Sequence, residues 1–307
     1  MNYKEYAEKY KKISFYDQIR NNKLKSWLLL IIIVVVIIGL MFVISQVYDP
    51  TMVFTFLILG IIISLIYVFI GYYFSDKIAL FTVNAHEATD KKYNHLNNMV
   101  EGLALAGGLP KPKVYIMPSQ EINAFATGRT PEKGVVCVTE GCLTKLTDKE
   151  LEGVLAHELT HIRNYDIRFV TLAIILVGLI AIISEIFLRS LWFSSGNGRE
   201  GKNPMFLIIG IALAILAPII ANLVQLAISR KREYMADAGA VQLIRDNSGL
   251  ISALKKIGNY YETNNKTVAN KTLASMFIAN PFSGKSITNL FSTHPPLSER
   301  IKILESM

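Results

Sequence analysis

Two histidines four residues apart, with a glutamate beside the first, are the clearest chemical signal in the chain: His157-Glu158-Leu159-Thr160-His161. On a helix, positions i and i+4 share a face. The two imidazoles can then bind one Zn²⁺ at ~2.0–2.1 Å. Glu158 projects beside them and can reach a metal-bound water without ligating the metal. A helix with two hydrogen-bonded histidines is the alternative that the motif alone leaves open. Catalytic zinc takes three protein ligands and keeps one position for water. Glu233-Tyr234-Met235-Ala236-Asp237 offers the third. If that stretch is helical, Glu233 and Asp237 share a face. Glu233 can ligate, and Asp237 can accept a hydrogen bond from the non-ligating nitrogen of a zinc histidine, which fixes its tautomer. A centre of this kind lowers the pKa of water toward ~7 and polarises a carbonyl. Glu158 would take the proton and pass it to the leaving amine, and the oxyanion formed on the way would need a second electrophile.

The elements that must bring these residues together are apolar. Half of the 307 residues are hydrophobic and only 18% are charged. Four long runs carry that excess, at 27–44, 52–74, 169–183 and 205–228. About 20 apolar residues on a helix cross a ~30 Å hydrocarbon core, and runs so free of charge have no polar face to show to water. The first run is followed by a second span and by no small-residue cleavage site, so it reads as a retained helix. Lys4, Lys9, Lys11, Lys12, Arg20, Lys23 and Lys25 precede the first run, Arg163 and Arg168 precede the third, and Arg230, Lys231 and Arg232 follow the fourth. Lysine and arginine gather on the cytosolic side of spans. Both termini and the His-Glu-x-x-His helix are therefore expected in the cytosol, at a multi-pass cell membrane. Topology accounts for the net charge of +8, and no basic and aromatic interleaving suggests nucleic acid.

The same hairpin explains how distant ligands could meet. The motif helix is expected to run on into the third apolar run, and the fourth run brings the chain back to Glu233 on the same side. The organisation read from the sequence is a basic arm (1–26), two spans (27–74), a first soluble segment with the motif helix (75–168), a membrane hairpin (169–228) and a second soluble segment with the third ligand (229–307). Within the first soluble segment a helix is expected over about 90–106, stopped by Gly107 and Gly108, and strands over 113–117, 122–127 and 134–139. Thr147-Asp148-Lys149-Glu150 reads as a capping box that starts the motif helix. Helices are expected over about 248–262 and 297–306, and a loop over the Asn-rich stretch 262–272. Cys137 and Cys142 read as small buried hydrophobes, since a disulfide is disfavoured in the cytosol. Glu185, with Arg189 four residues on, reads as an interfacial pair; Pro218 can kink its helix; His86 and His95 have no histidine partner at i+4.

Beyond the zinc motif, several strings resemble the HtpX-type membrane zinc proteases, which are similar to prenyl-protein endopeptidases. These are Gly108-Leu109-Pro110-Lys111-Pro112-Lys113-Val114-Tyr115, Asn123-Ala124-Phe125-Ala126-Thr127-Gly128, the run from Leu151 to His161, the stretch from Glu233 to Asp237, and His294-Pro295-Pro296 with Arg300. The resemblance covers 27–302. It implies a mainly α, α+β integral membrane protein: four transmembrane helices and a cytosolic zincin-like (gluzincin) protease domain with a small β-sheet. It further implies one Zn²⁺ per chain on His157, His161 and Glu233, with Glu158 as base and Asp237 behind the ligands. Asn123, Ala124 and Phe125 resemble an edge strand that pairs with substrate backbone, with an internal strand as the alternative. His294 and Arg300 resemble residues beside bound peptide. The substrates implied are misfolded or damaged membrane proteins. A prenyl-protein endopeptidase is the enzymatic alternative, against which four spans argue. A non-catalytic membrane scaffold is the other, and it is disfavoured because Glu158 is present.

Overall fold

The structure is a computed structural model, and it describes residues 15–48, 50–172, 230–263 and 295–307. The runs at 205–228 and nearly all of 169–183, the arm before residue 15, the loop 264–272, Glu185, Arg189, Pro218 and His294 lie outside them. The first two apolar runs form long helices, α1 (Phe15–Tyr48) and α2 (Val53–Thr82). Ile19–Gly39 and Pro50–Thr82 are long and apolar enough to cross a membrane. Around α2, Phe54, Ile58, Ile62, Ile66 and Phe69 are all exposed. So continuous an apolar surface is what a lipid-facing helix presents and far more than isolated exposed leucines explain.

After α2 the chain enters a small mixed sheet of β1 (His86–Glu87), β2 (Lys113–Met117), β3 (Ala124–Thr127) and β4 (Val135–Thr139). Strand order is β1-β2-β4-β3. β2 runs parallel to β4, pairing Tyr115 with Cys137, and β3 runs antiparallel to β4, pairing Phe125 with Cys137. β3 starts two residues later than the sequence pattern suggests. The pleat sorts β4 cleanly. Val136 and Val138 join the main core, while Val135 and Cys137 join Phe125 and Met117 against Ala79, Leu80 and Val83 at the end of α2. The end of α2 is thus packed onto one face of the sheet. Cys137 and Cys142 are both free and fully buried.

The other face carries the helices: α3 (Asn94–Ala106), the short α4 (Glu140–Lys145), α5 (Asp148–Arg163), α6 (Arg230–Ile244), α7 (Ser248–Thr263) and α8 (Leu297–Leu304). The motif helix α5 begins at the expected capping box: the Thr147 hydroxyl accepts from Glu150 N, and the Glu150 carboxylate accepts from Thr147 N at 2.8 Å. Leu155, Leu159 and Ile162 are fully buried in the shared core with Leu250 and Leu254 of α7.

One expectation is corrected. α5 does not run on into the third apolar run. It ends at Arg163, Asn164 and Tyr165 form a turn with Tyr165 at φ +60°, and a new helical stretch starts at 166. No glycine or proline announces this break. A left-handed tyrosine is costly, and the structure offsets it with the hydrogen bonds described next.

Candidate metal centre

α5 and α6 bring together the residues singled out by spacing. His157, His161 and Glu233 offer ligand atoms that all lie within 4.8 Å of one another. The two Nε2 atoms are 3.1 Å apart. Glu233 places Oε2 3.6 Å from His157 Nε2 and Oε1 3.6 Å from His161 Nε2. Ligands bound tetrahedrally at ~2.0–2.1 Å stand about 3.3 Å from each other, and each imidazole Nε2 has one Glu233 oxygen close to that distance. The donors also suit the metal, being two imidazoles and one carboxylate.

Each histidine is held from behind. His157 Nδ1 lies 3.0 Å from Asp237 Oδ1, as the spacing of Glu233 and Asp237 on α6 suggests. His161 Nδ1 lies 2.9 Å from Asp166 Oδ2. In the tautomer in which both Nδ1 atoms donate to these carboxylates, both Nε2 lone pairs face the shared point. Asp166 is a residue that sequence reasoning missed. In an unbroken helix, position 166 would point roughly 140° away from 161. The turn at Asn164 and Tyr165 folds Asp166 back beneath its histidine. Asp166 Oδ1 in turn accepts from Asn22 Nδ2 at 2.7 Å, and the same amide donates to Asn164 O at 3.0 Å.

Arg300 is buried completely. Its Nε donates to Asp237 Oδ2 at 2.9 Å and its Nη2 to Asp237 Oδ1 at 2.7 Å, while Nη1 stands 3.5 Å from Glu233 Oε2. It sits behind His157 and Glu233, bonded to Asp237. The electrostatics follow from this packing. Burial opposes charge on Asp237, but Arg300 and His157 hold its carboxyl below the usual carboxylate range. Burial likewise opposes a proton on His157, yet hydrogen bonds to Asp237 and Glu233 raise it to about 9. Burial pushes the Glu158 carboxyl up, against the pull of His157 and His161. Glu158 is 2% exposed and takes no hydrogen bond from the described residues.

The remaining residues of interest are spread out. Asn123 is buried just before β3, where its side-chain amide donates to the Tyr261 hydroxyl at 3.1 Å and its Oδ1 accepts from Ala124 N at 3.0 Å. Ala124 and Phe125 lie in β3, at the edge of the sheet. His86 stands on β1, and His95 pairs with Asp148 at the surface.

The family "Peptidase family M48" matches residues 90–307. A "Protease HtpX homolog" of Caldanaerobacter subterraneus subsp. tengcongensis is 48% identical over 251 residues, spanning 80% of this chain and 83% of that one. A second, from Dictyoglomus turgidum, is 42% identical over 301 residues, 97% of this chain and 96% of that one. Among solved structures, S. mikatae Ste24p aligns with a TM-score of 0.47 at 20% identity; the alignment takes in 92% of this chain and 65% of that one.

Proposed function

The chain belongs to peptidase family M48 and is a membrane-associated metalloprotease, and we propose that it works with one zinc ion held by His157, His161 and Glu233, at the cytosolic face of the cell membrane. The observation that carries the zinc reading is the clustering of the donors: the two Nε2 atoms stand 3.1 Å apart, each has one Glu233 oxygen at 3.6 Å, and both histidine Nδ1 atoms are tied to carboxylates. Zinc there supplies Lewis acidity toward water and the scissile carbonyl.

The chain's own residues do the rest. Glu158 is a buried carboxyl that accepts no hydrogen bond from the described residues, with its proton affinity raised by burial. That is the state of a base able to take a proton from water and return it to the leaving amine. Asp237 and Asp166 keep the imidazoles in one tautomer. Arg300 keeps Asp237 ionised so that it can do so. β3 is the proposed strand against which an extended substrate is aligned; its place at the sheet edge, with β4 as its one strand neighbour, supports this reading of Asn123, Ala124 and Phe125. His294, shortly before α8, is the proposed donor to the oxyanion, and unchanged turnover in His294→Ala would remove it from that role.

Four membrane spans with both termini in the cytosol, and misfolded or damaged membrane proteins as substrates, complete the proposal. Two apolar helices packed on the catalytic domain support a site close to the bilayer. The test is cleavage of an unfolded protein by the detergent-purified chain with zinc, beside Glu158→Gln. Cleavage by the wild type alone supports the base and the protease. Equal behaviour of the two defeats both assignments.

A further inference from the structure

Two arginines at the junction of the α1–α2 hairpin and the catalytic domain have no hydrogen-bond or ion-pair partner among the described residues. Arg168, two residues after Asp166, is 9% exposed, and its Nε is buried with no hydrogen-bond partner. Arg129, on the turn after β3, has its Nη1 buried in the same condition. Neither makes an ion pair or hydrogen bond among the described residues. Such buried, unsatisfied guanidinium nitrogens call for an explanation. The acids on neighbouring elements are committed elsewhere or stand apart. Asp166 serves His161 and Asn22. Glu132 is held by Thr130 and by its own backbone amide. Asp76, one turn beyond Tyr72, pairs with neither arginine.

What does surround them is aromatic. The Arg168 guanidinium lies 5.6 Å from the Trp27 ring centre and 5.4 Å from that of Tyr72. Arg129 lies 5.9 Å from Tyr72 and 4.4 Å from Tyr73. Both cations therefore converge on one ring, Tyr72, and each also meets an exposed ring, Trp27 for Arg168 and Tyr73 for Arg129. Trp27 opens the apolar run of α1 at 27–44 and the tyrosines lie toward the end of α2, so all three lie in the half of the hairpin that carries the catalytic domain. Tryptophan and tyrosine at helix ends mark the headgroup level of a bilayer. Stacking orients a guanidinium while leaving its N–H edge free, and that edge matches phosphate oxygens.

We propose that Arg129 and Arg168 form a binding site for the phosphate of an anionic phospholipid headgroup, at the end of the α1–α2 hairpin next to the metal ligands. The site rests on reading α1 and α2 as membrane spans. Its occupant is a lipid because the aromatic walls are exposed on the hairpin's own apolar surface, where an acyl chain would lie. One headgroup there would bridge β3's turn, the 166–172 stretch and both membrane helices, and so hold the catalytic domain against the bilayer.

The test uses the full chain in nanodiscs of equal phosphatidylglycerol and phosphatidylcholine. Lipids retained after gentle release are counted by native mass spectrometry. Failure to insert into nanodiscs at all would overturn the spans and the site together, before any lipid is counted, and the Glu158→Gln comparison addresses the protease separately. The wild type is expected to retain phosphatidylglycerol in preference to phosphatidylcholine. Arg129→Gln and Arg168→Gln should each lower that retention about 5-fold, and the pair more. Lys77→Gln, a basic change near the same membrane level, should leave it unchanged. Equal retention of the two lipids overturns the proposal, as does an equal loss in Lys77→Gln, which would mean general surface charge. Displacement of the lipid by millimolar inorganic phosphate would assign the site to a free anion instead. Arg129 is only half-buried and gives up no hydrogen bond, so its variant keeps the test valid if Arg168→Gln fails to fold.

Discussion

Asn22, on the first membrane helix, donates its side-chain amide to Asp166 at 2.7 Å, and Asp166 holds His161 at 2.9 Å. Two hydrogen bonds thus connect α1 to the proposed metal ligand His161. Residues that orient ligands in this way typically change metal affinity by 10–100-fold when removed. Asn22→Leu keeps the side-chain size and removes the donor. It is expected to speed zinc loss to a chromophoric chelator, with affinity lower by about 10-fold and helix content unchanged. Wild-type zinc affinity would mean that Asp166 holds His161 unaided.

Glu150 closes the capping box of α5 and also joins it to α7, through Ser252 at 2.6 Å and Lys256 at 2.7 Å. Burial works against its charge, but Lys256, Ser252 and Thr147 together lower its pKa to about 2 from 4.5. A depressed folded-state pKa gives stability that is present above the unfolded value and lost as pH falls through the folded one. The window is therefore pH 4.5 down to about 2. Glu150→Gln is expected to lower thermal stability at pH 7, by up to about 3 kcal/mol. The gap to wild type should narrow as pH drops below 4.5. Melting curves in detergent between pH 7 and 3 check this, and a gap independent of pH would mean that the carboxylate's charge contributes nothing.

What the sequence made legible here is local. The capping box, the i, i+4 histidines and the Glu233–Asp237 face each depend on a few adjacent residues with a fixed period, and each lands where its spacing directs. The strands were found through their punctuation by proline and glycine, with β3 beginning only at Ala124: Asn123 O still accepts from Thr139 N, but Asn123 N donates to the Thr139 hydroxyl and not to a backbone carbonyl. Asp166 and Asn22 were not legible. Their pairing spans 144 positions and depends on a helix break at Tyr165, whose residue type gives no warning of a positive φ. The one usable signal was an aspartate five residues past His161, which is meaningless unless the helix ends between them. Arg300 was noticed, but its bonds to Asp237 were not legible, because a string resemblance carries no direction for a side chain.

α5 and α7 touch closely enough to require glycine. A Cβ on Gly153 would stand 2.6 Å from Leu250 N, and one on Gly249 would meet Lys149 O more closely still. These neighbours are backbone atoms and cannot swing aside. Gly153→Ala and Gly249→Ala are each expected to push the helices apart, at a cost of about 1–3 kcal/mol. Because α5 carries both histidines, Gly153→Ala should also weaken zinc binding, whereas Gly102→Ala, with open space around its added carbon, should change neither. Thermal melts and chelator competition on the three variants decide it; normal melting of Gly153→Ala would mean that the helices adjust without loss.

Arg300 distinguishes a positioning role from a peptide contact. Its fork is bound to Asp237, its third nitrogen leans toward Glu233, and its side chain has no exposed surface. Removing one partner of a buried ion pair costs about 3–5 kcal/mol, because the other charge is left uncompensated. Arg300→Met is therefore expected to destabilise the chain by that order and to release zinc faster. Arg300→Met with Asp237→Asn should recover part of the stability, since the stranded carboxylate is gone, but should not recover zinc affinity, since His157 has lost its anionic partner. Arg300→Lys restores charge without the two-pronged geometry and should lie between wild type and Arg300→Met. The kinetic signature follows from the same placement. Enzyme that retains zinc should show a lowered kcat with KM for a peptide substrate little changed. A raised KM with wild-type zinc affinity and stability would instead return Arg300 to the peptide side, and the ion pair with Asp237 would then have to open when substrate binds.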